Sequence, residues 1–187
     1  IGNINSVANS YLRFEEPRSF FAPMSWGNCG YALPTIIGAK KAAPDRPAIS
    51  YAGDGAWAMS MSELMTAVRH DIPVTSIVFH NRQWGAEKKN QVDFYGRRFV
   101  AGELEGGENY SEIAKAMGAE GVRVDELDQV GPALTAAVGP RLGQSWFVAL
   151  DKASDPTALL SAVFIYGKAL PAPALLPEGE LLVDVTS

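Results

Sequence analysis

Residues 48–55 read AISYAGDG and residues 74–83 read VTSIVFHNRQ, and these two stretches decide the fold. We predict strands over residues 48–52 and 74–80, because each is a short apolar run of β-prone residues that ends in glycine or polar residues, as a buried strand that leads into a turn does. Between them, residues 59–70 carry apolar side chains at helical spacing. A strand, a helix and a second strand in this order form a unit with parallel strands.

The rest of the chain extends the same alternation. We predict a loop that runs into a helix over residues 1–12, helices over residues 31–43, 111–117 and 130–138, and a third buried strand over residues 145–150. This order predicts an α/β fold, a three-layer, doubly wound and mostly parallel sheet with helices on both faces. From residue 151 onward four prolines interrupt short apolar runs. We therefore predict one domain over residues 1–150 and a divergent C-terminal tail over residues 151–187.

Length and composition exclude several classes of protein. The chain has 187 residues, of which 47% are apolar and 20% charged, as in a soluble globular domain, and it is too short for a multidomain enzyme. A net charge of −5 argues against binding to nucleic acid or to an anionic membrane, and no apolar run approaches the length of a membrane span. The single cysteine, Cys29, excludes an internal disulfide and fits the cytoplasm. Because the first residue is Ile1 rather than Met, we expect a processed product or a piece of a longer protein.

Polar residues follow both strands of the predicted unit. Asp54 comes directly after the first strand, and Asn81 follows the second. Because ligands bind outside the carboxyl ends of the strands in an open α/β sheet, we expect both side chains at one crevice. A carboxylate, an amide oxygen and a nearby main-chain carbonyl suit Mg²⁺ or Ca²⁺, completed by phosphate oxygens. Gly55 lets the backbone approach a phosphate, and N–H groups from Ala56 onward can receive its charge.

The GDG sequence, followed about two dozen residues later by an asparagine after an apolar strand, resembles the motif of thiamine-diphosphate-dependent enzymes. That motif usually ends in two asparagines, and here His80 replaces the first. The resemblance implies that Asp54, the Asn81 side chain and the main-chain carbonyl of Gln83 hold Mg²⁺. It further implies that the diphosphate is surrounded by Gly53, Gly55, Ala56, Trp84, Gly85 and Ala86. The plainer alternative is a strand-end turn in which Asn81 is only a capping residue.

A second glycine-rich element, GNCGYALP over residues 27–34, resembles the family's Gly-x-hydrophobic-Gly-x-x-Leu-Pro segment, which precedes a helix. The resemblance implies that the carbonyl of Gly27 accepts a hydrogen bond from the aminopyrimidine and that Cys29 supports the bent cofactor. Cysteine is smaller than the Met, Leu or Ile that is common there, and a buried thiol without a chemical task is the alternative. Gly2 and Asn3 stand where the family has a loop on the other side of the diphosphate.

Three longer stretches are similar to one branch of this family, the sulfoacetaldehyde acetyltransferases of sulfonate metabolism. They are INSVANSYLRFEEPRSFF over residues 4–21, SWGNCGY over residues 25–31 and VFHNRQWGAEKKNQVDFYGRRFVAGEL over residues 78–104. The similarity implies the conversion of sulfoacetaldehyde and phosphate to acetyl phosphate and sulfite. Two alternatives remain within the family: the diphosphate-binding subunit of a 2-oxo-acid decarboxylase, and a carboligase like acetolactate synthase. A further alternative is a non-catalytic fragment that retains the fold.

Such a reaction needs sites for a small anionic substrate and for inorganic phosphate. Five basic residues and only two acids lie between residues 82 and 98, in a chain that is acidic overall. We predict anion contacts from Arg82, Lys88 and Lys89, with a solvated charged face as the alternative. His80 is either a proton shuttle or a hydrogen-bonded structural histidine.

The family activates its cofactor with a glutamate from a separate pyrimidine-binding domain, and no second α/β domain fits within these 187 residues. We therefore assign no catalytic residue to this chain. The resemblance implies a pyrimidine-binding domain in the same or a partner subunit, and a homo-oligomer when the protein is complete.

Overall fold

One parallel sheet forms the centre of the molecule. The computed structural model describes residues 1–104, 108–138, 146–151, 174–175 and 181–182. Its strands are β1 (Ile49–Gly53), β2 (Thr75–His80), β3 (Glu120–Val124) and β4 (Trp146–Asp151), in the order β1-β2-β4-β3. All three pairings are parallel, and Gly53 lies beside Phe79 in the register of β1 and β2. Two short strands, β5 (Ala174–Leu175) and β6 (Leu181–Leu182), form an antiparallel pair.

Seven helices accompany these strands in the described part of the chain: α1 (Asn3–Tyr11), α2 (Ala32–Ala42), α3 (Asp54–Ala58), α4 (Glu63–Arg69), α5 (Gly85–Phe94), α6 (Tyr110–Ala116) and α7 (Leu127–Val138). Pro34 lies in the first turn of α2, where its missing N–H costs no hydrogen bond. Asn109 caps α6, because its side chain accepts a hydrogen bond from the Glu112 N–H at 3.3 Å. None of the helices described is long and apolar enough to cross a membrane.

The sheet is covered on both faces. Every residue of β2 is buried, and its side chains alternate between two apolar clusters. Val78 packs on one face with residues of α2, α3, α4 and α6. Ile77 and Phe79 pack on the other face with residues of β3 and α7 and with Ile4 of α1. Helices on both sides of a parallel sheet confirm the predicted α/β fold.

Several predicted elements have different bounds in the structure. The helix expected over residues 59–70 is the shorter α4, and a separate helix, α3, starts at Asp54 itself. The strand β3 and the helix α5 were not predicted at all. Residue 145, the expected first residue of the last strand, and most of the expected tail over residues 151–187 lie outside the described residues.

Candidate functional site

The Asp54 carboxylate lies buried where β1 meets α3, with 2% of its surface exposed. Its Oδ1 accepts the Gly55 N–H at 2.8 Å, and its Oδ2 accepts the Arg82 N–H at 2.6 Å. Burial raises the pKa of this carboxyl, and main-chain hydrogen bonds and the nearby His80 partly oppose that increase. A cation at this carboxylate would offset the cost of burying its charge.

The loop after β2 brings main-chain groups to Asp54. Arg82 has a φ of 58°, a left-handed conformation that is unusual for a residue with a side chain. Its carbonyl accepts the Leu104 N–H at 2.8 Å, and the Trp84 N–H donates to the carbonyl of Gly102 at 2.9 Å. Neither of these two bonds uses the carbonyl of Gln83, which lies between Arg82 and Trp84 in the chain.

The amide of Asn81 lies at the same loop. Its Oδ1 accepts the Gln83 N–H at 3.2 Å, and its side chain is exposed. A Cβ at Gly85 would lie 3.2 Å from Nδ2 of Asn3 and 3.6 Å from Nδ2 of Asn81. The N-terminal segment therefore meets the loop after β2 at Gly85. Gly2 precedes Asn3 with a φ of 99°, which favours glycine.

Gly55 lies directly under the indole ring of Trp84. A Cβ at residue 55 would be 2.7 Å from Cη2 and 2.8 Å from Cζ3 of that ring. An open cleft of about 490 Å³ adjoins this contact and is lined by both residues, together with Met59 and Tyr110. Glycine at residue 55 thus permits a close approach that any side chain would block.

The second glycine-rich element packs against both the N-terminus and the end of α3. A Cβ at Gly27 would lie 3.8 Å from Cγ1 of Ile1, and one at Gly30 would lie 3.2 Å from Cβ of Met59. Cys29 is half-buried and packs against the apolar cluster on the α2 face of the sheet. This environment of Cys29 is typical of a small hydrophobic residue.

The remaining predicted residues occupy the same edge of the sheet. Gly53 is the last residue of β1, Ala56 is buried within α3, and Ala86 is half-buried in the first turn of α5. Direct contacts thus join Asn3 to Gly85, Asp54 to Arg82 and Gly55 to Trp84, and the other predicted residues adjoin these along the chain.

The donor set fits a hard divalent cation that carries a phosphate ligand. Asp54, Asn81 and Gln83 offer a carboxylate, an amide and a carbonyl, which are all oxygen donors. Among the residues whose placement is described, no three His, Cys, Asp or Glu side chains form a group that could hold a metal ion. Asp54, Asn81 and Gln83 carry one formal negative charge between them, so a divalent cation held by these three groups would need further anionic ligands, such as phosphate oxygens.

Two of the three predicted anion contacts are engaged elsewhere. Lys88 forms an ion pair with Glu103 and lies over the ring of Phe99, 5.4 Å from its centroid. Lys89 pairs with Asp93 at 2.6 Å, one turn along α5. These contacts favour the alternative of a solvated charged face for both lysines. Arg82 lies in the site through its main-chain N–H.

Sequence reasoning missed Tyr110, the first residue of α6. Its ring packs edge to face on His80 with the centroids 4.9 Å apart, and on Trp57 with the centroids 5.5 Å apart. His80 in turn places Nε2 3.8 Å from Oδ2 of Asp54. No sequence motif indicates this contact, because residue 110 comes close to Asp54 only when α6 packs on the sheet.

The sequence model of the thiamine pyrophosphate enzyme C-terminal TPP binding domain matches residues 1–149. Sulfoacetaldehyde acetyltransferase from Alcaligenes xylosoxydans xylosoxydans is 83% identical over 138 residues, 74% of this chain and 23% of that protein. The enzyme of the same name from Castellaniella defragrans is 78% identical over 142 residues, 76% of this chain and 24% of that protein. The chain spans about a quarter of the length of these curated relatives.

More distant similarities lie within the same group of enzymes. A probable acetolactate synthase large subunit from Methanococcus aeolicus is 33% identical over 156 residues, 82% of this chain and 25% of that protein. A thiamine diphosphate-dependent 4-hydroxybenzoylformate decarboxylase from Rhodococcus jostii RHA1 has a TM-score of 0.62 and 23% identity. That similarity covers 69% of this chain and 24% of the decarboxylase, and it bears on the fold alone.

Proposed function

The chain belongs to the family of thiamine pyrophosphate enzymes, whose C-terminal TPP binding domain it matches, and from this premise we propose that it binds thiamine diphosphate together with Mg²⁺. The observation that carries the proposal is the buried Asp54 carboxylate, held by the N–H groups of Gly55 and Arg82 at the strand ends. A buried carboxylate beside neutral oxygen donors is suited to a cation that brings anionic ligands of its own.

The proposed roles follow the loops that converge on this edge. Asp54, Asn81 and the carbonyl of Gln83 hold Mg²⁺. The residues around the diphosphate are Gly2, Asn3, Gly53, Gly55, Ala56, Trp84, Gly85 and Ala86. Gly27 and Cys29 contact the rest of the cofactor, on the side where their turn meets Ile1.

Thiamine diphosphate, when bound, supplies the reactive carbon of the reaction, and the protein supplies binding and orientation. Asp54 fixes the metal end of the site because its two oxygens are held by main-chain N–H groups from two different strand ends. The Trp84 ring covers Gly55 at the start of α3. In this proposal the chain orients the reacting group, and none of its side chains transfers a proton.

We infer acetyl transfer from sulfoacetaldehyde to phosphate as the activity of the complete protein. The names of the two relatives at 83% and 78% identity support this inference. We keep Arg82 as a candidate for a contact to the sulfonate or the phosphate, because its main-chain N–H places it at the Asp54 carboxylate.

A second domain is part of the proposal. The helix α5 has no buried residue, and its last residue, Phe94, exposes a large apolar side chain. The segment after it exposes two more, Tyr95 and Phe99. Such an exposed apolar surface next to a site is typical of an interface. We propose that a pyrimidine-binding domain, from the same or a partner subunit of a cytoplasmic homo-oligomer, covers it and brings the activating glutamate.

The activity is tested with the protein assembled with its pyrimidine-binding domain. We expect sulfite release from sulfoacetaldehyde that depends on phosphate, with acetyl phosphate as the other product. Carbon dioxide release from a 2-oxo acid without any sulfite would instead favour a decarboxylase or a carboligase like acetolactate synthase, as the 33% identical relative suggests. Absence of every turnover in an assembly that binds cofactor would favour a non-catalytic domain.

A further inference from the structure

His80 occupies a position where the family's motif usually has asparagine, and its surroundings differ from those of a surface amide. The residue ends β2 and is 5% exposed. Its Nε2 lies 3.8 Å from Oδ2 of Asp54, on the same oxygen that accepts the Arg82 N–H. This burial favours a structural role for His80 over that of a proton shuttle.

Tyr110 packs against the other side of the histidine. The two rings meet edge to face at an interplanar angle of 77°, a favourable aromatic geometry. Tyr110 also packs edge to face on Trp57, whose Nε1 donates to Oγ of Ser76 at 3.1 Å. The Ser76 hydroxyl lies on β2, so this row of rings is anchored to the same strand that carries His80.

The rings of Trp57, Tyr110 and His80 therefore connect three separate elements near the Asp54 carboxylate. Trp57 belongs to α3, which begins at Asp54, and His80 belongs to the end of β2. Tyr110 begins α6, whose first turn is held by the Asn109 cap. His80 lies beside the Asp54 carboxylate, Tyr110 packs on His80, and Trp57 packs on Tyr110.

We propose that His80 and Tyr110 are positioning residues for the metal site, which together hold the Asp54 carboxylate in the orientation that binds the divalent cation. The inference rests on the metal site proposed above and adds two residues that do not themselves touch the metal. Groups that orient a metal ligand typically change metal affinity by about 10- to 100-fold when they are replaced.

The test is a titration of the protein with Mn²⁺ in the presence of thiamine diphosphate, with free Mn²⁺ followed by electron paramagnetic resonance. We expect Tyr110→Leu and His80→Phe each to raise the Kd for Mn²⁺ by about tenfold. Tyr110→Phe keeps the ring packing, and its Kd should stay within about twofold of the wild-type value. If Tyr110→Leu does not fold, the Kd of the nearly isosteric His80→Phe variant tests whether these rings position the metal ligand.

A control separates positioning from a general loss of stability. Leu134 is fully buried in α7 on the opposite face of the sheet. Leu134→Ala should lower the unfolding midpoint and leave the Kd for Mn²⁺ unchanged. The proposal is overturned if His80→Phe binds Mn²⁺ as the wild type does, or if Leu134→Ala weakens binding as much. If the wild-type protein itself binds no Mn²⁺ with the cofactor, the proposed function fails and this inference fails with it.

Discussion

The contact between Gly55 and Trp84 gives a prediction whose magnitude follows from the structure. Replacing Gly55 by alanine would place a methyl carbon 2.7 Å from Cη2 of the indole, so the ring must move. A forced shift of a packed side chain costs about 2 kcal/mol. Because residue 55 lies within α3, the same substitution gains up to about 1 kcal/mol of helix propensity. We expect Gly55→Ala to lower the free energy of unfolding by about 1 kcal/mol.

The same substitution should reverse its sign when the ring is absent. A Trp84→Ala background removes the three atoms nearest to the new methyl group, and there Gly55→Ala should raise the free energy of unfolding by up to about 1 kcal/mol. The coupling between the two sites is then about 2 kcal/mol, within the range of residues in contact. Urea unfolding of the wild type, the two single variants and the double variant, followed by far-UV circular dichroism, measures the free energies of unfolding from which this coupling is calculated. Effects that add to within about 0.5 kcal/mol would show that the ring does not lie on Gly55.

Other contacts give further expectations about stability. Gly121 lies in β3 against the carbonyl oxygen of Ser111, so Gly121→Ala should cost about 3 kcal/mol or more, because the contact is with the main chain. Gly38→Ala, in α2 with nothing within 4 Å of the added methyl, should instead stabilise by up to about 1 kcal/mol in the same urea assay. Burial raises the pKa of Tyr51 from 10.0 to about 12, so its contribution to stability is present below pH 10 and lost as the pH rises toward 12. Urea unfolding at a series of alkaline pH values should show that the wild type loses up to about 2 kcal/mol more stability than Tyr51→Phe does. The same pH profile in both proteins would contradict the raised pKa of Tyr51.

Local sequence patterns predicted the elements whose residues carry a strong periodic or apolar signal. The strand β2 is a continuous run of buried residues, and the predicted strand over residues 74–80 differs from it by one residue. The helix α2 begins and ends within one residue of its predicted bounds. Both elements bury most of their apolar side chains, and burial is what produces the pattern.

Elements without such a pattern were missed for physical reasons. The helix α5 buries none of its side chains, so its sequence has no apolar face to detect. The strand β3 lies at the edge of the sheet and includes the exposed residues Glu120 and Arg123. The helix α3 has only five residues, fewer than two helical turns. Each of these elements owes its conformation to packing against the sheet or to its loops.

The candidate site likewise contains residues that the sequence predicted and contacts that it could not predict. The sequence placed Asp54 and Asn81 at the ends of neighbouring strands, because this follows from strand order and chain direction alone. The contact of Asn3 with Gly85 and the ring of Tyr110 behind His80 depend on how distant segments pack. No local pattern carries that information. The pairing of Lys88 with Glu103 likewise became visible only in three dimensions.

The central claim is that this chain holds thiamine diphosphate through a metal bound at Asp54. Its most direct test is the free energy of unfolding with and without thiamine diphosphate and Mg²⁺, for the wild type and for Asp54→Asn. Asp125→Asn serves as the matched control, since Asp125 is exposed and pairs only with its near neighbour Arg123 among the ion pairs of the described residues. At a cofactor concentration about a hundred times Kd, we expect the wild type and the control to gain about 2.7 kcal/mol, and Asp54→Asn to gain nothing. A wild-type protein whose stability does not change with cofactor and metal, or an Asp54→Asn variant that gains as much, would contradict the account.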